Sequence, residues 1–289
     1  MDPAETHLTR LVEADEPNAV AAEVRAAVGE RAALELAVSW GRASDPDVRC
    51  AALDLLVAVL DAAWEASPDV GPDAGTIRLV VEQAGSVSPD DEDEYLRWIA
   101  ARALRLVAEL DEDGRAIELL MRFADDEDGD VRLQVSYTLA FSLGDDAAPD
   151  DPAAEVLVRL LNDPDTDVRD FASFAFTICS MDSPVIRAEL LTLCATTEEP
   201  AAGQAGAALA DRGDVRVIPV ALSKLAHDDV ADLWVYGVAR PLPDRALLPA
   251  LLRLREGGWA DRADVPGLTS GRTQLQEMLD DAITAARTA

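Results

Sequence analysis

Cationic residues are scarce in this chain of 289 residues: 25 Lys plus Arg stand against 56 Asp plus Glu, the formal net charge is -31, and Lys224 is the sole lysine. Such a field repels phosphate backbones, and no local basic patch interrupts it, so nucleic acid is not expected as a partner. Cysteine is also rare. Cys50, Cys179 and Cys194 are odd in number and lack any CxxC spacing, which points to buried reduced thiols. The two histidines, His7 and His227, lie 220 residues apart and outside any metal-ligand spacing, so both are expected at the surface and no metal or other cofactor is expected. No run of 18 apolar residues exists to span a membrane. The acidic start Met1-Asp2-Pro3-Ala4-Glu5 lacks a basic segment followed by an apolar one, which leads to the expectation of a cytoplasmic protein without membrane contact. Aromatics make up 4% of the chain and hydrophobic residues 49%. The apolar content is therefore mainly Ala, Leu and Val, a mixture suited to closely packed helices.

What is abundant is acid. Residues 85–170 alone hold 24 acidic and 8 basic residues, a net of -16. The electrostatic partner this implies is a basic protein surface, although the same charge also serves solubility.

One short pattern recurs four times. Asp45-Pro46-Asp47-Val48-Arg49, Asp93-Glu94-Tyr95-Leu96-Arg97, Asp128-Gly129-Asp130-Val131-Arg132 and Asp165-Thr166-Asp167-Val168-Arg169 place their arginines 48, 35 and 37 residues apart. A recurrence near 35 residues with an insertion in one spacer is the signature of a helical repeat array. Within each copy an aspartate four residues before the arginine, and in three copies another two before it, can accept from the free N–H groups that open a helix.

Apolar spacing and Pro, Gly and Asp punctuation predict sixteen helices and no strand. A cap pair occupies 1–28, with helices near 5–13 and 17–28. Pairs follow at 29–43 with 46–63, 72–85 with 90–110, 113–125 with 128–143, 151–162 with 165–180, 183–196 with 199–211, and 214–226 with 228–240. A C-terminal cap pair over 241–289, 243–256 with 270–286, encloses a loop at 257–272. Counting from the motif arginine, positions -1, +3, +6, +7 and +10 form one apolar stripe: Leu96, Ala100, Ala103, Leu104 and Val107 in one repeat, Val168, Ala172, Ala175, Phe176 and Cys179 in another.

The turn motif and the Ala-rich helix after it resemble the HEAT-repeat family, especially its short bacterial form. The stretch Ala205-Gly206-Ala207-Ala208-Leu209-Ala210-Asp211-Arg212-Gly213-Asp214-Val215-Arg216-Val217-Ile218-Pro219 is similar to that family's helix end, turn and next helix. The resemblance covers 29–240. It implies a right-handed α-solenoid of about seven stacked antiparallel helix pairs plus the N-terminal cap, a single all-α body over 1–289, with the second helices on the concave side. It also implies a ladder between adjacent repeats made by Asp47, Arg49, Arg97, Asp130, Arg132, Asp167 and Arg169. Ala202 and Ala231 stand in the corresponding arginine slots of later repeats and interrupt that pattern.

Catalytic residues are not expected. The repeated His-Glu pairs of di-iron HEAT-like hydroxylases are absent, and the runs Asp90–Glu94 and Asp125–Asp128 fit no calcium-loop spacing. Trp98 at +1, with Tyr137 and Phe174 at +5, lies off the core stripe, where a ring can anchor a protein or peptide. The resulting expectation is a non-enzymatic scaffold that binds a protein or peptide on its concave face. Two other readings stand beside it: an acidic nucleic-acid mimic that inhibits a basic protein or toxin, and a HEAT-like lyase or DNA glycosylase.

Overall fold

Acidic caps and Ala-rich stripes are converted into helices throughout the computed structural model, which describes residues 3–68, 70–143, 148–196, 200–227, 231–262 and 271–289. The described residues are helical or in turns, with no strand. Two compact units divide the chain, Met1–Thr138 and Leu139–Ala289.

The first unit holds α1 (Pro3–Val12), α2 (Pro17–Val28), α3 (Glu30–Trp40), α4 (Pro46–Ala66), α5 (Ala74–Gly85), α6 (Glu94–Val107), α7 (Arg115–Leu120) with a 3-10 turn at Met121–Phe123, and most of α8 (Gly129–Ser142). Here α4 packs against α2, α3 and α6, while α6 packs against α5 and α7. The second helix α4 thus touches its own first helix α3 and the next second helix α6, the neighbour packing of a repeat protein.

The second unit takes the end of α8 and then α9 (Pro152–Leu160), α10 (Thr166–Ile178), α11 (Pro184–Thr196), α12 (Ala201–Asp211), a 3-10 turn Val215–Val217 leading into α13 (Ile218–Lys224), and α14 (Ala231–Trp234), which continues as a π-helical turn Val235–Ala239. A 3-10 turn Arg245–Leu247 then leads into α15 (Leu248–Glu256), followed by α16 (Trp259–Arg262) and α17 (Gly271–Thr288). At the centre is α12, packed on α10, α11 and the π turn, and α17 closes over α15 and the same π turn.

The expected stripe is the core. Leu96, Ala100, Ala103, Leu104 and Val107 are fully buried, as are Val168, Ala172 and Phe176, with Ala175 and Cys179 nearly so. Alanine at Ala100, Ala103, Ala172 and Ala175 lets helices approach closely, and at Gly206 a Cβ would lie 2.8 Å from the buried Trp234 ring. Gly213 closes α12 with φ +65°, a left-handed position that a side chain would strain.

The sixteen expected helices correspond to elements of the structure, with 3-10 or π turns forming part of those expected at 113–125, 214–226, 228–240 and 243–256. The loop expected at 257–272 is corrected at both ends. Trp259–Arg262 is helical because Trp259, 2% exposed, and Ala260 are drawn into the core, and α17 already begins at Gly271. The remainder of that loop, 263–270, lies outside the described residues.

Candidate functional site

The motif arginines act at the turns. Asp45, Asp93, Asp128 and Asp165 each accept from a backbone N–H at the start of the second helix, for example Asp47 N–H to Asp45 Oδ1 at 3.1 Å and Leu96 N–H to Asp93 Oδ1 at 2.9 Å. A further aspartate six residues before the arginine organises the turn upstream of these caps. Asp91, Asp126 and Asp163 accept from the N–H of Asp93, Asp128 and Asp165, and their own carbonyls take Nη1 of Arg97, Arg132 and Arg169.

That upstream acid also receives the previous repeat's arginine. Arg49 Nη1 lies 3.4 Å from Asp91 Oδ2, and Arg97 makes a two-pronged contact with Asp126, Nε to Oδ2 at 2.8 Å and Nη2 to Oδ1 at 3.2 Å, with Glu127 alongside. The inter-repeat acids are therefore Asp91 and Asp126, not the expected Asp47 and Asp130. The reason is geometric: Asp47, Asp130 and Asp167 sit in the exposed first turn of their helices, whereas Asp126 is buried beneath the arginine. Arg169 bonds within its own turn, to the carbonyls of Asp163 and Pro164 and to Thr166 Oγ1, and its buried Nε finds no partner among the described residues.

On the first unit the second helices present a linked aromatic surface. Asp54 on α4 is 2% exposed and accepts from the Tyr95 hydroxyl at 2.7 Å. Tyr95 stacks on Trp98, their centroids 5.6 Å apart, and the Arg102 guanidinium covers the Trp98 ring at 5.5 Å. Arg102 reaches back to Asp61 on α4 and Asn18 on α2. One turn further along α6, Arg105 lies over the Tyr137 ring at 5.1 Å and donates Nε to Gln134 at 2.8 Å. Trp98 is thus half-buried between polar partners, while Tyr137 is 36% exposed. Burial pushes the Asp54 carboxyl up to about 6, with the Tyr95 hydrogen bond and the Arg102 charge opposing.

The second unit carries a more apolar version of the same helix face. Phe141 and Phe174 approach at 5.6 Å between centroids, and Phe141 and Ile178 are 44% and 42% exposed. Phe174 is half-buried. One turn before it on α10, Asp170 accepts from Gln204 Nε2 on α12 at 2.7 Å. Burial, with Asp167 adding, pushes the Asp170 carboxyl up to about 6 against the effect of Gln204.

Trp98, Tyr137 and Phe174 all lie on second helices, as their off-stripe positions require, but Trp98 and Phe174 are more covered than a solvent-facing ring would be. The reading from sequence missed their supports, Asp54, Tyr95, Arg102 and Arg105. It also missed Phe141 and Ile178, which the same count places at +9, one turn beyond Tyr137 and Phe174. Among the described residues no group of three or more His, Cys, Asp or Glu is placed to hold a metal ion. The three cysteines are buried and form no disulfide, His227 is exposed, and His7, expected at the surface, is half-buried. No helix among the described residues is long and apolar enough to cross a membrane.

Capped second helices stacked on their neighbours and tied at the turns by arginine define an all-α helical-repeat protein. Residues 86–176 match the family described as HEAT repeats, and the chain carries HEAT repeats over that stretch. The solved structure of the YibA protein of Escherichia coli is similar with a TM-score of 0.72 at 19% identity, covering all of this chain and 93% of that one, which shows the fold. An archaeal HEAT-like repeats protein from Thermococcus onnurineus aligns at a TM-score of 0.49 and 17% identity, over 89% of this chain and 98% of that one. No curated protein matches the sequence.

Proposed function

We propose that this protein is a non-enzymatic scaffold that binds protein or peptide segments on the second-helix faces of its repeats. HEAT repeats generally mediate protein interactions, and the observation that supports this for the present chain is how its scarce aromatic residues are used. Trp234, Trp259, Phe123 and Phe176 fill the core, whereas Tyr137 and Phe141 stay at the surface and Trp98 is gripped by Tyr95 and Arg102. Rings held in place before binding lose little conformational freedom when a partner covers them, which is the property of an interface anchor.

A photo-crosslinking residue placed at Tyr137 or at Phe174, in cells that naturally make the protein, is expected to yield discrete adducts. The same residue at Glu118, exposed on first helix α7, is expected to yield none. Trp98→Ala, Tyr137→Ala and Phe174→Ala together should abolish the adduct formed from a neighbouring position on the same face. Equal labelling from position 118, or adducts indifferent to the triple substitution, refutes the assignment of the face.

A further inference from the structure

On α10, Asp170, Phe174 and Ile178 follow one another at four-residue intervals and so form a single row along the helix. The apolar end of the row is broadened by Phe141, whose ring meets Phe174. The polar end is completed by Gln204. Its amide nitrogen donates to Asp170, while its Oε1 is buried without a hydrogen-bond partner. The Gln204 contact is the one hydrogen bond that the Asp170 carboxylate receives among the described residues. The Gln204 oxygen and the remaining lone pairs of the Asp170 carboxylate are therefore acceptors still open at this spot.

An occupant that satisfies it must bring N–H donors. The local field selects their charge, since Asp167 adds to the negative potential at Asp170 and the whole chain carries a formal net charge of -31. A metal ion or a polyamine would leave Phe141, Phe174 and Ile178 unused. A polypeptide offers a cationic side chain and an apolar neighbour together.

We propose that the α10–α12 face of the second unit binds a partner protein segment in which an arginine or lysine side chain is held by Asp170 and Gln204 while an adjacent apolar side chain covers Phe141, Phe174 and Ile178. This rests on the scaffold reading above and gives it a partner class. Arginine suits the site best, because one planar fork can serve the Asp170 carboxylate and the Gln204 oxygen at once.

The test uses the full chain and a short capped, fluorescein-labelled peptide of alternating Arg and Leu, with matched peptides in which citrulline or Glu replaces every Arg. In physiological salt, which screens the diffuse field, the Arg peptide should bind the wild type at least about tenfold more tightly than the citrulline peptide. Asp170→Asn should weaken binding about tenfold, and Gln204→Leu and Phe174→Ala about three- to tenfold each. Glu155→Gln, which removes the same charge from an exposed position on first helix α9, should change binding less than twofold. Folding is not at risk in the key variant, because Asn at 170 removes a charge that burial disfavours. If Asp170→Asn behaves like Glu155→Gln, only the general field attracts the peptide and the site is overturned. Failure of the Arg peptide to bind at about 1 mM overturns it too, leaving the scaffold reading to its own crosslinking experiment. Preferential binding of the Glu or citrulline peptide through Phe174 overturns the cationic class while supporting the scaffold.

Discussion

Arg97 in one repeat grips Asp126 in the next through two hydrogen bonds of 2.8 and 3.2 Å, with both side chains almost wholly buried. Desolvating two charges opposes their attraction, so the pair need not add net stability. Removing one partner strands the other, and that cost is large. Arg97→Ala or Asp126→Ala should each lower unfolding free energy by about 3–5 kcal/mol in urea titrations. The paired change Arg97→Met with Asp126→Leu should recover most of the loss. Additive losses in the double variant would show that the arginine's contacts with Asp91 O and Glu127, rather than the ion pair, hold the joint.

Asp54 carries a pH dependence of stability. Burial lifts its carboxyl from the ordinary 3.8 to about 6, so the folded protein holds this proton more tightly than the unfolded chain. The contribution is fully present below about pH 4 and is lost as pH rises through 6. Asp54→Asn keeps an acceptor for the Tyr95 hydroxyl and removes the buried charge. It should be more stable than wild type by about 2–3 kcal/mol at pH 8, with the two converging near pH 4. Thermal melts of both proteins across that range measure the difference, and parallel curves would contradict it.

Two glycines should respond to alanine for different reasons. In an ordinary helix Gly→Ala stabilises by about 1 kcal/mol, but at Gly206 the new Cβ would meet the Trp234 ring at 2.8 Å and Val238 at 3.2 Å. Because Trp234 is fully buried, the ring cannot step aside cheaply, and Gly206→Ala should cost about 1–3 kcal/mol. Gly213 has open space around it, yet its φ of +65° alone should make Gly213→Ala cost about 1 kcal/mol. Near-ultraviolet circular dichroism separates the two, since only the first substitution disturbs a buried tryptophan.

Arg212 joins the end of α10 to the end of α12 by donating to four carbonyls, those of Phe176, Cys179, Met181 and Ala208, at distances from 2.7 to 3.0 Å. Lysine has one donor head and cannot span them. Arg212→Lys should therefore destabilise by about 2–4 kcal/mol despite conserving charge, and Arg212→Met by at least as much. Hydrogen exchange should show the loss first at the ends of α10 and α12.

Much of the architecture was legible because its signals are local. A capping aspartate acts within three residues, and an apolar stripe needs only the helical period, so Asp165 before α10 and the row Val168, Ala172, Ala175, Phe176 could be read without knowing what they face. The arginine ladder was half legible. Its donors recur visibly, but the acids that receive them, Asp91 and Asp126, belong to the following turn, and choosing them over the equally acidic Asp47 and Asp130 needs the distance between repeats. Arg212 gave no signal, because its partners are backbone carbonyls that every residue possesses. Helix α16 was read as loop because Trp259 and Ala260 follow two glycines that signal a turn, and only packing in the core outweighs that local preference.

By itself, then, the sequence determined the helices, their caps, the buried stripe and the acidic field, since each depends on near neighbours along the chain or on the sum of its charges. Tertiary structure decided which acids meet the arginines and which rings stay at the surface. It decided, too, that Asp170 and Gln204, 34 residues apart, leave two acceptors beside an aromatic floor. Those outcomes depend on distances between helices that are remote in sequence, and side-chain packing sets them.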